Sequence, residues 1–154
     1  MSILAQNRRA NFDFDLLEKY EAGLVLLGQE VKSVKSGQVS LKGAYVSLKI
    51  ENNKVNAYLL GAHIARYQFS GGLTDYDPIR ERKLLLSKRE LNRLNGKIME
   101  KGLTLIPLKM YTKRSFVKLE FALVRGKKKF DKRESIKKRE LDRQLRTLTK
   151  NRER

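Results

Sequence analysis

The sequence of 154 residues contains no cysteine, one histidine, two prolines and no long apolar run. The absence of cysteine excludes disulfides and fits a reducing compartment, although cysteine-free secreted proteins also exist. The N-terminal segment lacks an apolar core of signal-peptide length, because Arg8 and Arg9 follow it at once, and no stretch is long enough to span a membrane. No bulky amphipathic helix or lipidation signal is present. We therefore expect a soluble, cytoplasmic protein without a membrane partner.

The residues that catalysis usually needs are also scarce. The single histidine, His63, lies between Ala62 and Ile64, and an isolated histidine at a strand end is more often structural than catalytic. No cluster has the spacing of metal ligands, and the sequence has neither a phosphate-binding Gly-rich loop nor a Gly-x-Ser-x-Gly motif. We predict a protein that is not an enzyme and that has no catalytic residues, no cofactor and no metal site.

Positive charge is what the sequence has in excess. It contains 35 Lys and Arg against 17 Asp and Glu, for a formal net charge of +18 and a pI near 10.3. Solubility alone does not require so much charge, so a polyanionic partner is indicated. Residues 126–154 carry nearly half of this net charge in about a fifth of the length. The charge distribution divides the chain into a body, residues 1–125, and a basic C-terminal tail, residues 126–154.

The tail has too few apolar side chains to bury the area that ordering it would require, and we predict that it is disordered when free. Leu141, Leu145 and Leu148 recur at helical spacing, so the distal part could become a basic amphipathic helix on a surface that accepts it. A solvated tail that docks nowhere is the alternative.

The body is predicted to consist mainly of strands. Val46, Leu48 and Ile50 alternate with polar residues, and an Asn52-Asn53 turn leads to a second alternating run at 55–59. The same pattern recurs at 106–110 and 117–123, with a turn over 112–115, and the segment 12–27 supplies one or two more strands. A long loop is expected from 62 to 78, where Gly71-Gly72 and Asp77-Pro78 occur.

Two helices are predicted between the strands. Val31 and Val34 favour a short helix from Gly28 to Ser36 that ends at Gly37. The Ser87-Lys88-Arg89-Glu90 sequence is a capping box, and an apolar stripe follows it until Gly102, which predicts a helix over 88–101. Short antiparallel strands with inserted helices indicate a mainly β protein, and an OB-like closed β-barrel is the leading prediction.

Several cations of the body are candidates for contacts with phosphate groups. Such residues hold a nucleic-acid backbone without reading its sequence. Any one of them could equally be a solvated surface residue, and it is their number that favours RNA binding. They are Arg8, Arg9, Lys32, Lys35, Arg80, Arg82, Lys83, Lys88 and Arg89.

Glu21 is an unexpected acid at the head of an apolar strand in so basic a protein. A carboxylate repels phosphate, but it can accept hydrogen bonds from the amino groups of bases and so contribute specificity. An ion pair that tethers an arginine such as Arg8 is an equally good interpretation from the residues alone.

Several strings of residues, in order and at consistent spacing, resemble the SmpB family, the SsrA-binding proteins of bacterial trans-translation. The resemblance covers nearly the whole chain. The strings are Asn-Arg-Arg-Ala at 7–10, Tyr-Glu-Ala-Gly at 20–23, Gln-Glu-Val-Lys-Ser at 29–33, Asp-Pro at 77–78, Arg-Lys-Leu-Leu-Leu at 82–86, Lys-Arg-Glu at 88–90, Lys-Gly-Leu-Thr-Leu-Ile-Pro-Leu at 101–108, and Gly-Lys-Lys-Lys-Phe-Asp-Lys-Arg-Glu at 126–134.

The resemblance implies an OB-like barrel that binds the tRNA-like domain of tmRNA and brings it to a stalled bacterial ribosome as part of a tRNA mimic. The tail would enter the decoding centre and the empty mRNA channel, and we expect a monomer. The family's RNA-contacting positions match Asn7, Glu21 and Leu85, which makes an RNA contact the preferred interpretation of Glu21. With Arg8, Lys32, Lys35 and Lys83, these form the predicted tmRNA site.

The resemblance also implies a ribosome-engaging set in the tail. Its members are Gly126, Lys127, Lys128, Phe130, Asp131, Lys132 and Arg133. Phe130 stands where the family often has Tyr or His, so it keeps a ring that can stack on a base but loses the polar tip. Ser87 and Tyr76 also depart from the family pattern, each at a position where histidine is common. A structural ribosomal protein or a general RNA-binding protein is the alternative function.

Overall fold

The computed structural model describes residues 2–69, 75–100, 102–127 and 129–152. The strands in this part of the chain are β1 (Ser2–Gln6), β2 (Phe14–Leu24), β3 (Val39–Ser40), β4 (Tyr45–Glu51), β5 (Lys54–Leu60), β6 (His63–Ile64), β7 (Arg82–Leu85), β8 (Leu103–Lys113) and β9 (Phe116–Gly126). The helices are α1 (Ala10–Asp13), α2 (Gly28–Lys35), α3 (Lys88–Ile98) and α4 (Lys129–Arg152).

Six of these strands close into a ring. The order is β8-β4-β5-β7-β2-β9, and β9 pairs with β8 again, while β1 is added to the other edge of β8. Each of these pairings is antiparallel. The prediction of a mainly β fold with a closed antiparallel sheet is therefore confirmed. Closure leaves few unpaired strand edges, which is how a small β domain avoids pairing with other chains.

Both predicted hairpins are present. Asn52 and Asn53 have φ values of 51° and 61° at the β4–β5 turn, the left-handed conformation that a two-residue hairpin turn requires and that asparagine tolerates. The β8–β9 turn is shorter than predicted, because Arg114 and Ser115 alone make it, with φ values of 51° and 69°. The two long strands that it joins carry most of the side chains discussed below.

The helices agree with the sequence in place but less closely in length. The Ser87 hydroxyl accepts a hydrogen bond of 3.2 Å from the Glu90 N–H, as expected for an N-cap. Helix α3 stops at Ile98, three residues before the predicted end. There the Glu100 N–H bonds to the Lys97 carbonyl at 3.1 Å, so a tight turn leads to Gly102, whose φ is +84°.

The core fills the inside of the ring. Alternate residues of β9, Val117, Leu119, Phe121 and Leu123, point inward and are buried, and Leu94 of α3 packs into the same cluster. A smaller cluster lies on the other face of the sheet, where Ala10 of α1 covers outward side chains of β8 and β9. Helix α1, too short to be predicted from periodicity, therefore shields one end of the outer surface.

The tail differs from its prediction. Instead of a disordered chain, residues 129–152 form the single helix α4. The side chains of residues 136–147 are all exposed, so this part of the helix has no buried face. Residues 127–154 contain neither glycine nor proline and are rich in Lys, Arg, Glu and Leu, all good helix formers. That propensity is the physical reason for the difference, and the helical character foreseen for the distal tail extends over residues 129–152.

Candidate nucleic-acid interface

The outward side chains of four neighbouring strands form one continuous surface, here called the outer face. Alternation along β7, β2, β9 and β8 turns the following residues away from the core: Lys83, Leu85, Lys19, Glu21, Gly23, Phe116, Lys118, Glu120, Lys109, Tyr111 and Lys113. They include five lysines and two glutamates, Glu21 and Glu120. The outer face is therefore positively charged, with acids at defined points.

The strand register places the predicted contacts on this surface. Leu85 pairs with Gly23, and Gly23 pairs in turn with Lys118. Glu21 lies opposite Glu120, which lies opposite Lys109. Lys109 faces Gln6 at the end of β1, so the residue after Gln6 borders the same surface.

That residue is Asn7, which is fixed to β8. Its backbone N–H donates to the Leu108 carbonyl at 2.7 Å, and its side-chain amide donates to the Pro107 carbonyl at 3.1 Å. Since neighbouring strands lie about 4.8 Å apart, Glu21 and Asn7 are roughly 14 Å from each other across three strand spacings. The fold thus brings Asn7, Glu21 and Leu85, which are far apart in the sequence, to one side of the molecule.

Glu21 has partners other than the one considered from the sequence. Its carboxylate accepts a hydrogen bond from the Tyr111 hydroxyl and lies 3.5 Å from the Lys113 ammonium group. The hydrogen bond from Tyr111 is the main cause that lowers the pKa of Glu21 below its usual value. The ion pair formed is with Lys113 and not with Arg8, whose side chain is exposed. Glu21 is thus an ionised acceptor held in a fixed orientation.

A depression of about 340 Å³ surrounds this carboxylate, lined by Lys19, Tyr20, Glu21, Lys109, Tyr111 and Glu120. Glu120 is 3.2 Å from the Lys109 ammonium and 3.9 Å from that of Lys19. Burial is the main cause that raises the pKa of Tyr111, and the bond to Glu21 adds to it. The site therefore combines ionised acceptors with lysine donors, the groups that recognise base edges and phosphates.

An apolar groove of about 370 Å³ lies beside the depression. Leu85 is 56% exposed and Phe116 is 69% exposed on its walls. Gly23 lies between them, and a Cβ there would stand 3.4 Å from that of Leu85, so the missing side chain keeps the groove open. Lys118 lines the same groove. Exposed apolar side chains flanked by cations suit the faces of unstacked bases.

Helix α2 borders this groove through Val31. Lys32 and Lys35, predicted to contact RNA, are both exposed on the helix, and the Lys32 ammonium lies 5.5 Å from the centre of the Tyr67 ring. Lys83 is exposed on the outer face.

The interpretation of Arg82 as a phosphate contact is wrong. Its side chain is completely buried, and its Nη2 and Nε atoms donate to Glu30 Oε2 at 2.5 and 2.9 Å. Arg80 also donates to Glu30, and the Tyr76 hydroxyl donates to Glu30 Oε2 at 3.0 Å. Composition shows the number of cations. It does not show which of them are buried in ion pairs with a carboxylate from a distant part of the chain.

Burial acts to raise the pKa of Glu30, but the hydrogen bonds from Arg80, the Leu27 N–H and Arg82 outweigh it and lower that pKa. Burial and the bond to Glu30 raise the pKa of Tyr76 to about 12. This cluster, here called the Glu30 network, joins α2 to β7 and the 76–80 segment.

Sequence reasoning missed several residues of the outer face: Phe116, Lys118 and Tyr111. A signal for the first two was available, since both alternate with the buried Val117 and Leu119 and must therefore point outward. Tyr111 likewise follows the buried Met110, but its contact with Glu21 depends on the pairing of β8 with β9 and could not be predicted from the sequence.

The predicted tail set lies at the junction with the body and beyond it. Gly126 pairs with Phe14 as the last residue of β9. The Lys127 N–H donates to the Asp13 carbonyl at 3.1 Å, and its ammonium donates to the Asn11 carbonyl at 2.8 Å. Lys128 lies outside the described residues, as do the side chains of Phe130, Asp131, Lys132 and Arg133, whose backbone begins α4, and the Gly71-Gly72 part of the predicted loop.

Within the described part of the chain, no group of three or more His, Cys, Asp or Glu side chains is placed to hold a metal ion. Among the same residues, no helix is both long and apolar enough to cross a membrane.

Comparisons with known proteins identify the family of the chain. The family model described as SmpB protein matches residues 4–151. The SsrA-binding protein of Chloroflexus aggregans is 46% identical over 152 residues, covering 99% of this chain and 94% of that protein. The SsrA-binding protein of Coprothermobacter proteolyticus is 50% identical over 147 residues, 95% of each.

A solved structure described as "tmRNA-SmpB: a journey to the center of the bacterial ribosome" contains a similar chain. The two are 46% identical, with a TM-score of 0.63 over 80% of this chain and 84% of that one. Because the family model spans nearly the whole sequence and the relatives match at almost full length, the chain belongs to the SmpB family.

Proposed function

We propose that this protein binds the tRNA-like domain of tmRNA through its outer face and α2, and carries that RNA to stalled ribosomes for trans-translation. The observation that carries the proposal is that Asn7, Glu21 and Leu85 lie on one basic surface, although Asn7 follows β1, Glu21 is on β2 and Leu85 is on β7. The same surface offers both readable polar groups and an apolar groove. Similarity to SsrA-binding proteins at 46% and 50% identity supports it.

Each part of the outer face has a distinct task in this proposal. Arg8, Lys32, Lys35, Lys83 and Lys118 neutralise phosphates and supply most of the affinity. The Glu21 carboxylate, held by Tyr111, accepts hydrogen bonds from base amino groups. Leu85 and Phe116 cover the face of an unstacked base or ribose in the groove between them.

The tail serves the second RNA, that of the ribosome. Its helical residues 136–147 are all exposed, and they carry five cations against two acids. We propose that the tail enters the decoding centre and the empty mRNA channel, where a cationic helix can follow phosphate groups. In this role the protein is a cytoplasmic binding partner of tmRNA and, together with that RNA, a mimic of tRNA. It is not an enzyme.

The test is to purify the tagged protein from cells and to sequence the RNA that accompanies it. One dominant RNA with a tRNA-like end is the expected result. The variants Glu21→Ala and Leu85→Ala should lose most of that RNA, whereas Glu51→Ala, which changes an exposed acid on β4 outside the outer face, should retain it.

Two results would oppose the proposal. A mixture of unrelated RNAs, equally retained by all three variants, would indicate general RNA binding. Equal amounts of the protein in every purified small subunit, whether or not translation has stalled, would indicate a structural ribosomal protein.

A further inference from the structure

A second cleft lies against α2, apart from the residues that line the groove and the depression of the outer face. Its volume is about 220 Å³, and its lining residues are Ser33, Ser36, Gln38, Arg66, Tyr67 and Gln68. This is smaller than the roughly 300–1,000 Å³ of pockets that enclose drug-sized ligands. The cleft is therefore large enough for a single flat ring and too small for an extended peptide.

Tyr67 lines this cleft, and the Phe69 ring lies next to that of Tyr67. The ring centres of Tyr67 and Phe69 are 5.5 Å apart, with an angle of 68° between the ring planes. Phe69 is 73% exposed, which is unusual for a side chain that normally gains free energy by burial. A neighbouring ring and an exposed ring together form the kind of platform on which nucleobases stack.

Positive charge surrounds the rings. The Lys32 ammonium lies 5.5 Å from the centre of the Tyr67 ring, and the exposed Arg66 precedes that residue directly. Lys35 follows one helical turn after Lys32 and is also exposed. Among the described residues, those lining the cleft include no carboxylate. An anionic ligand with an aromatic part fits this combination, and a nucleotide has both.

The floor of the cleft is held by fixed hydrogen bonds. The Ser33 hydroxyl donates to the Ala65 carbonyl at 2.5 Å, and the Ala65 N–H donates to the Gln38 carbonyl at 3.0 Å. These bonds attach the segment 65–69, which carries the two aromatic residues, to the end of α2 and to Gln38. The amide groups of Gln38 and Gln68 also line the cleft and can both donate to and accept from the edge of a base.

We propose that this cleft binds one unpaired nucleobase of the tRNA-like domain of tmRNA, with the base stacked on Phe69 and its phosphates near Lys32 and Arg66. The proposal rests on the function proposed above and extends the RNA site around α2. Val31 lines the groove of the outer face, while the next residue, Lys32, reaches Tyr67. One short helix therefore touches both sites, so a single folded RNA can occupy them together.

The absence of tryptophan from the sequence provides a direct test. Phe69→Trp introduces the only indole, and stacking on a base quenches its fluorescence. Titration of the full-length variant with the isolated tRNA-like domain should quench the emission at the same RNA concentration at which filter retention shows binding. Phe116→Trp reports on the outer face in the same way, and Ile50→Trp is the matched control at a position 65% exposed on β4.

Affinity gives a second readout. Because stacking on an aromatic side chain contributes about 1–3 kcal/mol per base, Phe69→Ala should raise the Kd for the tRNA-like domain roughly 5- to 100-fold. Phe69→Tyr retains a ring and should bind almost as the wild type does. Ile50→Ala should leave the Kd unchanged.

The outcomes separate the two proposals. Unchanged emission from Phe69→Trp, or wild-type affinity of Phe69→Ala, overturns the nucleobase cleft, while retention of RNA and a response from Phe116→Trp keep the function of the outer face. Failure of the wild type to retain the RNA overturns both. A Phe69→Trp response to ribosomes or to proteins, but not to the isolated RNA, also overturns the cleft as a tmRNA site.

Discussion

The hydroxyl group of Tyr111 donates a hydrogen bond to the carboxylate of Glu21, although 90 residues separate the two in the chain. They meet because β9 lies between their strands, pairing with β2 on one side and with β8 on the other. The bond holds the carboxylate in one orientation and keeps it ionised. A tyrosine that need not touch RNA thereby positions a residue proposed to read it.

Removing that hydroxyl should change the titration of Glu21. The folded protein holds the pKa of Glu21 below the usual value, so the carboxylate remains charged as the pH falls below that value and becomes protonated only on passing the lowered one. Tyr111→Phe should shift the midpoint upward, toward the usual value, as measured by NMR of the carboxyl carbons. Tyr20→Phe is the matched control, because that hydroxyl bonds Glu18 instead. If the titration midpoint of Glu21 is the same in Tyr111→Phe as in the wild type, the hydrogen bond from Tyr111 is not what lowers the pKa of Glu21.

Arg82→Met should destabilise the fold strongly. The substitution removes the fully buried one of the two arginines that pair with Glu30, and breaking a buried ion pair costs about 3–5 kcal/mol. Urea unfolding measures the difference. Arg93→Met provides the control, since Arg93 is 62% exposed beside Glu18 and such a pair contributes about 0–1 kcal/mol. If both variants unfold at the same urea concentration, the Glu30 network does not stabilise the fold as described.

The Glu30 network should also make stability depend on pH. The pKa of Glu30 is lower in the folded than in the unfolded protein. Its contribution is therefore complete above the unfolded pKa and is lost as the pH falls through the folded one. Glu30→Gln should remove this acid sensitivity from the urea midpoint, whereas Glu51→Gln should leave it in place. Equal acid sensitivity in all three proteins would assign it to other carboxylates.

The affinity for the tRNA-like domain should fall steeply with salt. If roughly four to seven phosphates are neutralised, the slope of log affinity against log salt should be on the order of −3 to −6. Lys83→Ala and Lys118→Ala should each reduce the slope by about 1, while Lys54→Ala, an exposed lysine on β5, should not. Filter binding over a range of salt concentrations measures all four proteins. A flat dependence for the wild type would contradict the electrostatic basis of the site.

A chain that ends at Lys127 should bind the tRNA-like domain nearly as well as the full chain does, and should fail to tag peptides on stalled ribosomes. The end point matters, since β9 continues through Gly126 and the Lys127 N–H bonds to the Asp13 carbonyl. Truncation directly after Arg125 would remove a paired strand residue together with the tail. Loss of RNA binding by the chain ending at Lys127 would contradict the proposed division of work between body and tail.

The hairpins and α3 could be predicted from the sequence because their signals are local. Asn52-Asn53 specifies a turn, and Ser87 specifies a helix start, without reference to any distant residue. Alternation also identifies which side chains of β9 point outward. Elements of two to four residues, such as β3, β6 and α1, contain too few residues to show a period and were missed.

Contacts that depend on strand pairing could not be predicted. Nothing near Arg82 in the sequence distinguishes it from Lys83, yet one is buried against Glu30 and the other is exposed. The same limit applies to the hydrogen bond of Tyr111, because its partner Glu21 lies on β2, far away in the sequence. Family resemblance supplied Asn7, Glu21 and Leu85 as candidates, and the register explains why three such distant residues can act on one ligand.

The four residues of strand β7 alternate between the core and the outer face, so this one strand serves both folding and the proposed RNA contact. Arg82 and Leu84 are buried inside the ring, while Lys83 and Leu85 face outward. A genetic screen for loss of ribosome rescue should therefore recover substitutions at both kinds of position in this strand. Only protein abundance in the cell would distinguish them: variants of the inner pair should be degraded, and variants of the outer pair should accumulate as folded, inactive protein.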